Sequence, residues 1–161
     1  MYIQIYLKEY TNQKESNMKN IILVTHGKFA LGIIDSLKII YGNVENISCV
    51  SLEVSDQLSD IKDNIIKEIE KYDNNISTII ITDIVGGSTT RAALETLSHR
   101  KNIYIITGLN LGLLLEIVMA DIGEDDSKNK EILEDIIADT KETMYLVNNY
   151  LEKNYQNLEE L

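Results

Sequence analysis

The sequence predicts one open α/β domain, a parallel four-stranded sheet with helices on both faces. Three observations lead to it. Four short runs are rich in β-branched residues, too short for helices, and apolar enough to be buried on both faces. Between them, apolar residues recur at intervals of three and four, the mark of a helix with one buried stripe. The two patterns alternate from Asn20 to Asp121. Such alternation demands crossover connections, which are right-handed and build a parallel sheet between helical layers.

The first strand is Ile21-Ile22-Leu23-Val24. A helix follows, its stripe being Phe29, Ile33, Ile34, Leu37 and Ile40, and then the second strand, Ile47 to Leu52. Leu58, Ile61, Ile65, Ile66 and Ile69 mark the second helix, which Ser55 or Asp56 can cap. Thr78 to Thr82 is the third strand, with a helix from Thr89 onward. Ile103 to Thr107 is the fourth, with a helix from Leu111 onward for which Asn110 is the N-cap. The acidic run after Asp121 reads as a solvated loop, followed by an amphipathic helix from about Lys130 to Lys141. Met144 to Val147 continues that helix or forms a short strand.

At 161 residues the chain is long enough for one domain with a substantial core, and no internal repeat or linker divides it. Residues 1–17 lack sustained periodicity and read as a flexible extension or upstream-start artefact ahead of Met18. The domain is 18–150 and the tail 151–161.

A net charge of -11 argues against nucleic acid as a partner, because phosphate backbones need a basic surface; a basic protein fits better. No apolar run approaches the roughly 18 residues of a membrane helix, and the N-terminus lacks a secretory signal pattern, so the expectation is a cytoplasmic protein without membrane insertion. The single cysteine, Cys49, lies in an apolar-rich strand and reads as a buried small side chain.

In an open parallel sheet, ligands bind beyond the carboxyl ends of the strands, where the helices that follow present unpaired N–H groups. The first strand ends in Thr25-His26-Gly27, the third in Thr82-Asp83-Ile84-Val85-Gly86-Gly87-Ser88, and the fourth in Thr107-Gly108-Leu109-Asn110. A carboxylate that accepts one imidazole N–H fixes which ring nitrogen stays nucleophilic, and Asp83 is placed to do this for His26. If that nitrogen attacks phosphorus, the same carboxylate stabilises the ring as it becomes cationic. Gly86, Gly87 and Ser88 let backbone N–H groups approach phosphoryl oxygens, with a hydroxyl from Ser88 or Thr25 and no metal or cofactor required. No G-x-x-x-x-G-K-[ST] loop is present, which argues against direct use of ATP.

Plainer readings stand beside these: a structural histidine at a strand end, an aspartate capping a helix, a glycine pair making a turn. His99, in the stretch SHRKN, reads as a surface residue near the far end of its helix, so a metal site of His26, Asp83 and His99 has little support.

The segments ILVTHGKFALGIIDSLKIIYG, TDIVGGSTTRAA and TGLNLGLLLEIVMA, in this order and spacing, resemble the enzyme IIA domain of the mannose-type sugar phosphotransferase system from Met18 to about Tyr150. The resemblance implies that His26 accepts a phosphoryl group from the carrier protein HPr and passes it to the enzyme IIB component, while Asp83 bonds its other nitrogen. It also implies a sheet of order 2-1-3-4 and functional association with membrane transporter subunits. It further implies a homodimer that exchanges an antiparallel C-terminal edge strand, here Tyr145 to Tyr150.

Three positions depart from the family pattern. Thr89 replaces the usual proline, Arg91 the usual asparagine, and Gly112 stands where proline is common. They put partner or sugar specificity in doubt more than phosphoryl acceptance. Two rival readings remain. A receiver domain would be phosphorylated on Asp83, but it would carry an acidic pair at the first strand end and a lysine after a later strand, where this chain has Thr25-His26 and Thr107-Gly108. A non-catalytic regulatory module would use His26 as a phosphorylation-state signal. Carriers serving dihydroxyacetone kinase also share the fold, but the Gly86-Gly87-Ser88 turn favours the sugar-transporter branch.

Overall fold

The strands are β1 (Lys19–His26), β2 (Ile47–Leu52), β3 (Ser77–Thr82) and β4 (Ile103–Thr107), seen in a computed structural model that describes residues 19–149. All pairings are parallel and the order is β2-β1-β3-β4, as the family resemblance implies. Interleaved with them are helices α1 (Phe29–Ile40), α2 (Leu58–Ile69), α3 (Ser88–Leu94), α4 (Leu111–Met119) and α5 (Asp126–Glu142).

Alternation along the strands divides the core into two layers. Ile21, Leu23, Ile79 and Ile81 pack with Leu37 of α1, Leu114 and Ile117 of α4 and Leu133 of α5. Their sequence neighbours Ile22, Val24 and Ile80 face the other way, against Ile61, Ile65 and Ile69 of α2 and Ala92 and Ala93 of α3. β1 and β3 therefore bury both faces, which is why their sequences read as unbroken apolar runs. None of the described helices is long and apolar enough to cross a membrane.

Several local expectations need correction. α5 begins at Asp126, inside the stretch expected to be loop, because Asp125 accepts from the backbone N–H groups of Ser127 and Lys128 at 3.0 and 3.1 Å. An acidic residue in the first turn also suits the positive end of the helix. α2 is preceded by Gln57 rather than Ser55 or Asp56. Asp56 is engaged elsewhere, accepting from Glu53 N–H at 2.8 Å, and Asp60 accepts from Gln57 N–H. Asn110 caps α4 as expected, accepting from Leu113 N–H at 3.0 Å. Cys49 is only partly buried, at the margin of the first core layer.

The C-terminal strand is not found among the described residues. Met144 to Leu146 is irregular, 147–149 is helical, and Asn149 N–H bonds Leu146 O at 3.1 Å. A strand must send its backbone groups to a neighbouring strand, and in this segment a local turn takes one of those bonds. Residues 1–18 and 150–161, with the expectations made for them, lie outside the described part.

Candidate functional site

The strand order reverses at the junction of β1 and β3, the place where ligands bind in open α/β sheets. Val24 is paired with Thr82 in that ladder, so the next residues of both strands emerge side by side. His26 ends β1 and Asp83 directly follows β3. Their side chains meet: His26 Nδ1 lies 2.9 Å from Asp83 Oδ2. The His26 backbone N–H donates to the same oxygen at 2.8 Å. One carboxylate oxygen thus holds both the ring and the strand end that carries it.

The other oxygen is equally engaged. Asp83 Oδ1 accepts from Ile84 N–H at 3.0 Å and from the Thr89 hydroxyl at 2.9 Å. Burial pushes the Asp83 carboxyl up, but the His26 backbone N–H, the His26 ring and the Thr89 hydroxyl outweigh it and hold the group below the ordinary carboxylate range. Asp83 is therefore ionised at neutral pH. An ionised carboxylate only accepts, so the proton between the two groups sits on His26 Nδ1, and in the neutral ring it is Nε2 that carries the free lone pair. Exposure matches these roles: 46% of the His26 side chain is accessible, against 14% for Asp83.

The turn between β3 and α3 packs against the ring. Gly86 has φ +74, in the left-handed region that glycine enters without strain. A Cβ at Gly87 would lie 2.9 Å from Ile84 Cγ2, too close without a shift of that side chain, and at an ordinary contact distance of 3.5 Å from His26 Cε1, which puts the turn directly beside the imidazole. Thr90 fixes the turn from below, donating to Ile84 O at 2.8 Å while its oxygen lies 2.8 Å from the Thr82 hydroxyl. Ser88, the first residue of α3, is exposed.

Of the residues singled out in the sequence, His26, Asp83 and Gly87 are in direct apposition, and Gly86 and Ser88 flank Gly87 on one turn. Thr25 is placed differently. It is fully buried, its hydroxyl accepts from Ala30 N–H at 3.0 Å in the first turn of α1, and strand alternation turns it away from His26. His99 is remote from this rim and pairs with Glu70 at 3.4 Å. Thr89 was missed as a site residue. The available signal was its departure from the family pattern immediately after Gly-Gly-Ser.

Comparison with known proteins identifies the family and the fold. The family described as "PTS system fructose IIA component" matches residues 20–137, well over half of the chain. The sorbose-specific EIIA component of the phosphotransferase system (PTS) from Lacticaseibacillus casei is 31% identical over 99 residues, covering 62% of this chain and 71% of that protein. Its counterpart from Klebsiella pneumoniae is 32% identical over 101 residues, covering 63% and 73%. In fold, the chain resembles a crystal structure of an EIIA component from Streptococcus agalactiae, with a TM-score of 0.72 at 23% identity over 82% of this chain and 99% of that one. The chain belongs to the fructose, mannose and sorbose enzyme IIA family of the sugar phosphotransferase system, whose members are phosphotransferase components.

Proposed function

We propose that the protein carries a phosphoryl group on His26 Nε2, accepting it from phosphohistidine on HPr and passing it to enzyme IIB for sugar uptake. The observation that carries this reading is the 2.9 Å contact between His26 Nδ1 and Asp83 Oδ2, which leaves Nε2 of this accessible ring as the nucleophile. The Nε2 lone pair forms a bond to phosphorus as the donor's P–N bond breaks, and that electron pair returns to the donor nitrogen. The Nδ1 proton stays in place. The acceptor ring gains positive charge, which Asp83 offsets as it develops. The exposed Ser88 hydroxyl and the turn that carries it sit beside the ring and can face the phosphoryl oxygens, while the Gly87 N–H donates to Ile84 O at 3.4 Å. Transfer onward to enzyme IIB is the same exchange in reverse.

Phe29, Ile84 and Val85 neighbour the pair in sequence and are exposed, which supplies an apolar rim for a docking protein. Asp83 itself is a poor acceptor, since four donors already occupy its two oxygens. That favours His26 over a receiver-like phosphoaspartate. Incubation with ³²P-phosphoenolpyruvate, enzyme I and HPr should label the wild-type protein, with label that withstands strong base and is lost in acid. His26→Ala should take up none, and labelling of that variant at the wild-type level refutes the assignment.

A further inference from the structure

We propose that Thr89 is a positioning residue that sets how firmly His26 holds its phosphoryl group, because its hydroxyl competes with the imidazole for the charge of Asp83. The proposal rests on His26 as the phosphoryl acceptor. Thr89 is fully buried, and its hydroxyl lies 2.9 Å from Asp83 Oδ1. Since the carboxylate has no proton to give, the hydroxyl is the donor. It does two things there. It fixes the rotation of the carboxylate, so that Oδ2 faces both the ring and the backbone N–H of His26. It also draws electron density toward Oδ1, which weakens Asp83 as a base and lessens its support for a positively charged ring.

The contacts on Asp83 come from three elements: His26 on β1, the Ile84 N–H of its own turn, and Thr89 on α3. His26 is the titratable group among them. The Ile84 N–H belongs to the backbone and survives substitution. The Thr89 hydroxyl is therefore the contact through which a side-chain change can tune the pair without touching either member. With the hydroxyl present, Asp83 is a weaker base and the phosphoryl group is released more readily to the next protein. Without it, His26 should become more basic and retain phosphorus longer.

The test compares Thr89→Val, which keeps the branched shape and deletes the donor, with Thr89→Ser, which keeps the donor. Titration of the unphosphorylated protein followed by NMR of the His26 ring should show its protonation midpoint rising by roughly half a unit in Thr89→Val. The phosphorylation equilibrium against HPr should move about threefold toward phospho-His26, the same change expressed as a ratio. Thr89→Ser should restore both. If Thr89→Val does not fold, Thr89→Ala against Thr89→Ser provides the same comparison. A donor-less variant that titrates and equilibrates like wild type overturns the role of Thr89. The titration needs no partner protein, so that failure is distinct from a wild-type protein that takes no label, which would overturn the acceptor reading and this proposal with it.

Discussion

Replacing Asp83 with asparagine keeps the shape of the side chain and reverses the polarity of one arm. Four donors converge on the carboxylate, two on each oxygen, at 2.8 to 3.0 Å. An amide has one accepting oxygen and one NH₂ group, so one pair of donors must face hydrogens. With the NH₂ toward Thr89, the hydroxyl can rotate to accept but the Ile84 N–H loses its partner. With the NH₂ toward His26, the strand-end N–H loses its partner. The ring then keeps a bond only by accepting at Nδ1, which moves its proton to Nε2 and removes the nucleophile. An unpaired backbone N–H costs about 1–3 kcal/mol when buried; at this half-open rim the lower end applies, so Asp83→Asn should lose about 1 kcal/mol of stability. The larger loss is kinetic. A hydrogen bond to a charged group contributes about 1.5–3 kcal/mol, and forfeiting it as the ring becomes cationic slows transfer by roughly 10²-fold. Uptake of ³²P through HPr measures the rate, ¹⁵N NMR of the ring reads the tautomer, and urea unfolding gives the stability. An asparagine variant labelled at the wild-type rate, with Nε2 still unprotonated, would show that the carboxylate does not hold the histidine ready.

Two further outcomes test the scaffold. Lys19 is nearly buried, and its Nζ donates to the carbonyl oxygens of Val118 and Ala120 at 3.0 and 2.6 Å. Burial lowers its pKa to about 8, with Asp121 acting in the opposite direction. Between that value and the ordinary lysine range near ~10.4 the unfolded chain binds more protons, so stability should rise as pH increases through this window. Lys19→Met should lack the rise when urea unfolding is compared at about pH 7.5 and 10; a variant with the wild-type slope would assign the effect elsewhere. Ile80 is fully buried in β3 between α2 and α3, and Ile80→Ala should cost about 2–5 kcal/mol by thermal or urea unfolding while phosphoryl uptake persists below the transition.

The legibility of this fold and site divides along a physical line. Ile21-Ile22-Leu23-Val24 and Thr78-Ile79-Ile80-Ile81 could be read as strands because a sheet covered on both faces leaves few places for charge. The middle of each stripe was legible for the complementary reason, that one helical face alone is buried: Ile33 and Leu37 of α1 and Ile61, Ile65 and Ile69 of α2 are buried, whereas Phe29 and Ile40, expected to extend the α1 stripe, lie at the helix ends and are exposed. Boundaries were less so, since Ser55, Asp56 and Asp125 are all plausible caps by composition and only the local backbone decides which one bonds at a helix start. Thr25 and His26 are adjacent in sequence yet face opposite sides, and the reach of Thr89 to Asp83 depends on how the intervening turn folds back. His26 and Asp83 differ from both cases. They are separated by 57 positions, and what joins them is the ladder that pairs Val24 with Thr82. Chain connectivity brings two neighbouring strand ends to one rim whatever side chains they carry, so a reactive pair at those ends can be inferred from topology. Its tuning belongs to individual hydrogen bonds, and those become visible only when the turn has a shape.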